Sequence, residues 1–210
     1  MDQLLELIAG GKLAVLMDDA QELLEQITDA GGAAALAQIG LVGDESIVNQ
    51  VHERAVEYAR ERAAEMVGMK WVDGDLVPNP NESWRIDEAT RDLVRGDVTQ
   101  ALEDGLSNDA LADVLADSYA FSEERALMIA RTETAFADVA GNMAAYRESG
   151  QVAAKQWITG QDCCDLCDAL DKTIVDLDED FPDAGGDGPP LHPNCRCDVL
   201  PILAQLAGDE

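Results

Sequence analysis

The sequence is short of basic and aromatic residues. Lysine and arginine together number 14 among 210 residues, against 43 aspartates and glutamates, which gives a formal net charge of −29. Aromatic residues make up only 4%, so a core must rely on the aliphatic side chains within the 47% hydrophobic content. The shortage of positive charge argues against a protein that follows a phosphate backbone along a basic face.

Long apolar runs are also absent from the sequence. No stretch approaches the ~20 apolar residues that a membrane-spanning helix needs. The first residues, MDQLLELIAGGKL, lack the basic start and the long apolar run of a secretion signal. We therefore expect a protein that is made in the cytoplasm and has no membrane partner.

The excess of acidic residues has three interpretations. A disordered acidic chain is disfavoured, because the hydrophobic content and the helical periodicity are those of a folded protein. A patch for a basic partner is disfavoured, because the acidic residues are spread over the whole length. Adaptation to multimolar salt is favoured, since the screening length falls to about 3 Å at about 1 M salt and repulsion between the charges largely vanishes. The sequence thus predicts a halophilic source and loss of the fold at low salt.

The hydrophobic spacing predicts a helical N-terminal region. Residues 12–29 carry apolar side chains at the three-to-four spacing of an amphipathic helix. Gly31-Gly32 is expected to stop this helix, and a short apolar helix is expected at about 33–40. Asp44 is the expected N-cap of a long helix that follows.

Turn and cap signals organise the next part of the chain. Two short β-prone runs flank Asp73-Gly74, which predicts a hairpin near residues 70–78. Three further helices are predicted, at about 86–106, at 108–119, and between an N-cap at Ser122 and a C-terminal Gly150.

The chain changes character after Gly150. Short strands are predicted at 152–159, 173–176 and 198–203, with a loop at 180–190. The sequence thus predicts a mainly α region over residues 1–150. It also predicts a small α+β, zinc-knuckle-like module over residues 151–210, called the C-terminal module below.

The C-terminal module holds all five cysteines of the chain. Cys164 and Cys167 form a CxxC pair in a turn, and His192, Cys195 and Cys197 share one tight loop further on. Thiolate and imidazole are the ligands of tetrahedral Zn²⁺, so any four of these five donors satisfy one ion. We predict a structural zinc site and leave open which four bind. Cys163 is the expected spare, because neighbouring residues on an extended turn point to opposite sides.

Other uses of the cysteines are less favoured. Disulfides would leave one of the five cysteines unpaired, and a bridge across the short CxxC loop would be strained. A thioredoxin-like redox pair would need a βαβ pattern that the sequence lacks. A catalytic zinc would need an open position and a nearby base, and neither HExxH nor a zinc-deaminase motif occurs. The site is therefore predicted to be closed, with zinc binding supplying on the order of 10 kcal/mol of folding energy.

Several motifs resemble the phage Mu F-like head morphogenesis family. The likeness is specific over about residues 122–202. It rests on four segments: IARTET at 129–134, AAY at 144–146, Trp157 with the CxxCxALD run that ends at Asp171, and PPLHPNCRC at 189–197. Cys163 and the extreme acidity depart from the family pattern.

The resemblance implies a non-enzymatic minor capsid protein of a tailed virus. It implies a place in the virion near the portal vertex, after synthesis in the host cytoplasm. It also implies a role in head assembly and in DNA packaging or delivery. The expected partners are the portal protein, which would set the oligomeric state, and the major capsid protein. Together with the acidity of the chain, the resemblance suggests a haloarchaeal virus or provirus as the source.

Two other functions remain as alternatives, a metal-dependent hydrolase and a nucleic-acid-binding zinc module. Binding to packaged DNA is the less favoured, because the C-terminal module has only three basic residues, Lys155, Lys172 and Arg196.

The run Arg131-Thr132-Glu133-Thr134 lies in the middle of a predicted helix. Threonine is a poor helix former, so two threonines in one turn call for an explanation. One explanation is packing of this helix against the C-terminal module, with Arg131 bonding to loop carbonyls there. The other is a solvated helix face. His52 is expected to be an exposed helix residue and not a metal ligand.

Overall fold

The computed structural model describes residues 2–66, 68–79 and 122–204, with isolated positions between 89 and 120. The chain divides into two compact units, each of which is treated by itself below. The first comprises Met1–Gln21 and Arg60–Ile129, and the second comprises Glu22–Ala59 and Ala130–Glu210. The helices predicted at 86–106 and 108–119 lie largely outside the described residues.

Two long helices begin the chain. Helix α1 spans Asp2–Gln38 and helix α2 spans Glu45–Met66. Asp44 is the N-cap of α2, as predicted, since its Oδ1 accepts the N–H groups of Ser46 and Ile47 at 3.1 and 3.3 Å. The prediction that Gly31-Gly32 stops the first helix is wrong, because α1 continues through both glycines without a break.

The glycines of α1 serve a close helix crossing. Helix α3 spans Glu123–Ser149, and a Cβ atom added to its Gly141 would lie 2.1 Å from the carbonyl oxygen of Thr28 and 2.7 Å from the nitrogen of Gly32. A Cβ atom on Gly32 would in turn lie 2.4 Å from Cγ1 of Val51 in α2. Gly31 and Gly32 therefore allow close packing between helices and do not end one.

The predicted hairpin is present in the first unit. Strands β1 (Met69–Val72) and β2 (Asp75–Pro78) pair in antiparallel fashion. The connecting residues Asp73 and Gly74 have φ angles of 52° and 89°, as a two-residue turn with both central residues left-handed requires. Trp71 anchors the hairpin, because the Arg60 guanidinium carbon lies 3.9 Å from its ring centre.

Both predicted ends of helix α3 are confirmed. Ser122 Oγ accepts the N–H of Arg125 at 3.1 Å, which is the bond of an N-cap residue. At the other end, Gly150 has a φ of 60° and donates its N–H to the carbonyl of Arg147 at 3.3 Å. A left-handed glycine in this position ends a helix at low conformational cost.

The C-terminal module contains a three-stranded antiparallel sheet with the order β4-β3-β5. Strand β3 spans Val152–Ile158, β4 spans Ile174–Asp176 and β5 spans Asp198–Leu203. A single-turn helix, α4 (Asp165–Asp168), follows β3. The predicted strands are thus confirmed within one residue. Among the described residues every strand pairing is antiparallel, which contradicts the thioredoxin-like alternative.

The described part of the chain has helices in its N-terminal half and small antiparallel sheets, with a Cys/His cluster, in its C-terminal part, in line with the predicted fold class. One hydrophobic core in the second unit contains residues from both sides of the boundary predicted at residue 150. Its members include Ala35, Val51, Val139, Tyr146, Trp157, Phe181, Cys167 and Val199. The boundary itself stays a prediction. No described helix is long and apolar enough to cross a membrane.

Candidate metal centre

The CxxC pair lies on a turn that leads into helix α4. Cys164 is the N-cap residue of α4, and its carbonyl accepts the N–H of Asp168 at 2.9 Å. This turn leaves the Cys164 sulfur exposed and buries that of Cys167. The backbone N–H of Cys167 bonds to the Cys164 sulfur and lowers the pKa of that thiol, with a smaller contribution from the N–H of Leu166. The turn therefore favours a thiolate at Cys164.

The second loop presents one imidazole and two buried thiols. The N–H of Cys195 bonds to the carbonyl of His192 at 3.1 Å, which closes a tight turn. His192 Nδ1 lies 2.8 Å from the carbonyl oxygen of Pro193. Because a carbonyl only accepts hydrogen bonds, Nδ1 carries the proton and Nε2 keeps its lone pair free for a cation.

The two loops bring all five predicted donors together. His192 Nε2 lies 3.2 Å from the Cys164 sulfur and 3.3 Å from the Cys167 sulfur. The Cys167 and Cys195 sulfurs are 3.7 Å apart. The donors form two overlapping groups with Cys167 common to both. Within each group the ligand atoms lie no more than 4.8 Å apart, and the groups are Cys164, Cys167 and His192, and Cys167, Cys195 and Cys197.

These separations fit a tetrahedral thiolate site better than they fit a disulfide. With Zn–S bonds of about 2.3 Å, neighbouring sulfurs of a tetrahedron lie about 3.8 Å apart. The distance of 3.7 Å between Cys167 and Cys195 is close to that value, and the contacts from His192 are somewhat shorter than a zinc site would set. A disulfide would need about 2.05 Å between its sulfurs, and all five cysteines are free. The donor set therefore fits a thiophilic divalent cation.

Burial makes the inner thiols hard to ionise without a cation. It raises the pKa of Cys167, and the neighbouring sulfurs of Cys197 and Cys195 raise it further. Burial also raises the pKa of Cys197, against the opposing bond that the N–H of Gly160 gives its sulfur. A bound cation would replace these thiol protons, so metal affinity is expected to fall as the pH is lowered.

Cys163 and His52 lie outside the cluster, as predicted. The Cys163 sulfur is 3.9 Å from Oδ1 of Asp168 and belongs to neither of the metal-capable groups found among the described residues. His52 is exposed on α2, and its Nδ1 lies 2.8 Å from Oδ2 of Asp29.

Helix α3 contacts the second loop through Thr132. The N–H of Asn194 donates to Thr132 Oγ1 at 3.0 Å, and Thr132 is buried. Arg131 and Thr134 are exposed, whereas Glu133 is buried. The predicted packing of this helix against the module is therefore present, but Thr132 supplies the contact and the role expected for Arg131 is not seen.

Sequence reasoning also missed Gly160. A Cβ atom at this position would lie 2.6 Å from the carbonyl oxygen of Arg196, so only glycine lets the end of β3 approach the cysteine loop. Arg196 strengthens the same contact, since its Nη2 donates to the carbonyl of Gln161 at 3.0 Å. A single glycine after a strand is too common a signal to have identified this role from the sequence.

Comparisons with known proteins agree with the motifs. A family model described as "Phage Mu protein F like protein" matches residues 92–200. A search of curated proteins and a search of solved structures each found no match. The matched range covers about half of the chain and includes helix α3 and the whole cluster of cysteines and histidine. The chain therefore belongs to the phage Mu protein F-like family, a structural family of the phage head.

Proposed function

We propose that the chain is a minor capsid protein that acts at the portal vertex of a tailed virus, with a structural zinc in its C-terminal module. Family membership supports the role in head morphogenesis. The observation that carries the structural part is the convergence of four thiols and one imidazole from two separate loops onto one cluster.

The donor set favours zinc in a closed site. Four of the five donors Cys164, Cys167, His192, Cys195 and Cys197 would bind the ion, because a tetrahedral ion takes four ligands. Five donors for four positions leave no place for the water molecule that a catalytic zinc keeps. When bound, zinc would supply electrostatic cross-linking of the two loops, and no chemical step needs to be assigned to it.

The distribution of charge disfavours the nucleic-acid-binding alternative. Of the three basic residues in the C-terminal module, Lys155 is fully buried and Lys172 is paired with Asp171 at 3.3 Å. Arg196 bonds to the backbone of Gln161. A surface that follows DNA needs several free positive charges, so we place contact with packaged DNA second to contact with the portal.

The module is positioned to link the metal to the helices of the same unit. Thr132 of α3 holds the loop that carries Cys195, and Tyr146 of α3 donates to the carbonyl of Val199 in β5 at 3.3 Å. Metal binding would thereby fix the surface that these helices present to a partner. The net charge of −29 supports the further proposal that assembly takes place at high salt, in a haloarchaeal virus, because salt screens the repulsion between the carboxylates.

A head-association experiment tests this function. The zinc-loaded chain is mixed with the portal and major capsid proteins of its own virus in about 3 M KCl, where charge repulsion is screened, and is analysed by co-sedimentation. The chain and its Cys163→Ser variant are expected to sediment with portal particles, whereas Cys164→Ser is expected to lose this property. Absence of binding by the zinc-loaded chain overturns the assembly role. If the protein shows a hydrolytic activity that is lost when the metal is chelated while the fold persists, the structural role proposed for the metal is overturned.

A further inference from the structure

The two edges of the sheet in the C-terminal module differ in their backbone hydrogen bonds. At the outer edge of β5, Val199 donates its N–H to Oδ1 of Asp198 at 2.7 Å, and its carbonyl accepts the hydroxyl of Tyr146 at 3.3 Å. Pro201, the next residue that faces outward on this strand, has no N–H to donate. A further strand would therefore gain few hydrogen bonds at the β5 edge.

The outer edge of β4 is open. On either side of its centre, Trp157 donates to the carbonyl of Thr173 at 2.9 Å, and Leu177 donates to the carbonyl of Ala153 at 3.1 Å. Because alternate residues of an antiparallel strand bond to the same neighbour, the N–H and the carbonyl of Ile174 point away from β3. No hydrogen bond joins either group to the described part of the chain. This edge is therefore free to pair with another strand.

The side chains along β4 alternate between exposed and half-buried positions. The Lys172 side chain is 79% exposed, Ile174 is 54% exposed, and Asp176 is also exposed. Thr173 and Val175 lie between them and are half-buried, with Val175 packed against the core. The exposed side of the β4 edge thus carries a cation, an apolar side chain and an anion, in that order.

We propose that two copies of the chain associate weakly through β4, with the strands antiparallel and Ile174 of one copy opposite Ile174 of the other. In such a two-fold pairing, a residue two positions before the centre faces the residue two positions after it. Lys172 of each copy therefore faces Asp176 of the other, so the sequence Lys-Thr-Ile-Val-Asp is complementary to itself in charge.

Backbone and apolar contacts select the same register. Each Ile174 would donate its N–H to the carbonyl of the opposite Ile174, and the two exposed side chains would cover each other. Centring the pair on Val175 would instead set Ile174 against Asp176, which loses both the apolar contact and the charge pair. The interface lies outside the cysteine cluster, and it does not depend on the function proposed above.

Two opposing terms make this dimer weak. The bond from Lys172 to Asp171 at 3.3 Å is an exposed ion pair, which is worth little, so the lysine can turn to Asp176 of the other copy at small cost. The net charge of −29 on each chain opposes association until salt screens it. A strand of three residues forms a small interface, as in transient complexes. The dimer is therefore expected at high salt and high protein concentration.

Cross-linking tests the pairing in the full-length chain at about 3 M KCl. Ile174→Cys is made in a Cys163→Ser background and treated with glutathione disulfide, which is reduced as the new S–S bond forms. Opposite residues of a bonded antiparallel pair have Cα atoms about 5.5 Å apart, a separation that a disulfide spans. A covalent dimer is expected on a non-reducing gel, and Cys163→Ser alone gives the baseline.

Leu200→Cys in the same background is the matched control. Leu200 is exposed on the same face of the sheet, but it lies on β5, so this variant is expected to stay at the baseline. Absence of the covalent dimer in Ile174→Cys, or an equal amount in the two variants, overturns the proposal.

Exchange of the charged residues gives a second readout by sedimentation equilibrium at about 1 M KCl. Lys172→Asp and Asp176→Lys are each expected to weaken the dimer by about 2- to 30-fold, since each cross-strand charge pair occurs twice. The double variant is expected to restore the wild-type affinity. General repulsion predicts the opposite for Asp176→Lys, which lowers the negative charge. A stronger dimer in Asp176→Lys, no rescue in the double variant, or a wild-type chain that stays monomeric contradicts the pairing.

Discussion

Cys163 and Cys164 are adjacent in the chain but have different surroundings. The Cys164 sulfur lies 3.2 Å from His192 Nε2, whereas that of Cys163 faces Asp168. Cys164→Ser is therefore expected to weaken zinc binding by more than the about 10- to 100-fold that outer partners of a metal site are worth. Cys163→Ser is expected to leave it unchanged.

Substitution with Co²⁺ measures this difference. Tetrahedral Co²⁺ gives visible absorption bands, and its sulfur-to-metal charge-transfer intensity reports the number of bound thiolates. The intensity is expected to drop in Cys164→Ser and to stay at the wild-type level in Cys163→Ser. The same spectra of His192→Ala, Cys195→Ser and Cys197→Ser identify which of these three donors bind the ion. A drop confined to Cys163→Ser would show that the wrong cysteine was assigned.

The ion pair between His52 and Asp29 makes stability depend on pH. The hydrogen bond that the His52 imidazole donates to the Asp29 carboxylate raises the pKa of His52 above 6.5. Because the folded state favours the protonated imidazole, the stabilisation is complete below pH 6.5 and is lost as the pH rises through the folded-state pKa. The exposed pair is worth no more than about 1 kcal/mol.

Asp29→Asn is expected to lower the pKa of His52 in an NMR titration and to remove this step from the stability profile. Glu25→Gln is the matched control, because Glu25 acts on His52 only as a lesser, through-space charge. A His52 pKa that is the same in Asp29→Asn and in the wild type would show that the pair does not form in solution.

At the residue scale, the sequence was sufficient to predict the cluster of cysteines and histidine, whose role as metal ligands stays a prediction, and insufficient to predict the residues that hold the cluster in place. The spacing of CxxC and HxxCxC is local, and it predicted all five residues that converge in the structure. One of the two explanations for the Arg131-Thr132-Glu133-Thr134 run placed the contact from helix α3 on Arg131, but Thr132 makes it. Adjacent helix positions differ by about 100° in direction, and an alanine-rich helix gives too weak a pattern to fix which direction faces the module.

At the scale of elements, the crossing of α1 and α3 depends on Gly141. A methyl group there would lie 2.1 Å from the carbonyl oxygen of Thr28. Gly141→Ala is expected to force the helices apart and to lower the free energy of unfolding by about 1 to 3 kcal/mol. Urea denaturation at constant salt measures the change.

The helical Gly96 provides the control, since a Cβ atom there would meet nothing within 4 Å. Gly96→Ala is expected to be neutral or to stabilise the protein by up to about 1 kcal/mol, because alanine is the better helix former. A Gly141→Ala protein as stable as Gly96→Ala would contradict the close crossing.

Elements whose signals lie within a few residues were predicted from the sequence. Features that depend on contacts between residues far apart in the chain were not. The caps at Asp44 and Ser122 and the turn at Asp73-Gly74 depend on residues a few positions away, and all are confirmed. The glycine pair in α1 resembled a helix stop, but its role is set by Gly141, more than a hundred residues further along the chain. No local pattern contains that information.

At the scale of the whole molecule, the net charge of −29 should dominate stability in dilute buffer. Repulsion among the carboxylates weakens as the screening length falls from about 10 Å at about 0.1 M salt to about 3 Å at about 1 M. The melting temperature is expected to rise steeply from about 0.1 M to about 3 M KCl. Potassium gluconate provides similar screening without chloride, so it separates charge screening from effects specific to the chloride ion. A melting temperature independent of salt would contradict the proposed adaptation.

Bound metal is expected to stabilise the core of the second unit as well as the two loops that carry the cysteines and the histidine. Cys167, Cys195 and Cys197 belong to the same core as Ala35 of α1 and Trp157 of β3. Removing the ion would leave these thiols buried and mutually unbonded at the centre of the second unit. Zinc loss is therefore expected to destabilise the helices that share this core as well as the sheet.

The most direct measurement of the central claim is elemental analysis of the purified chain combined with thermal unfolding before and after chelation. The account predicts one zinc ion per chain. It also predicts a loss of stability on chelation that is on the order of 10 kcal/mol at neutral pH and is reversed by added zinc. A chain that contains no metal, or one that keeps its fold and its melting temperature after the metal is removed, would contradict it.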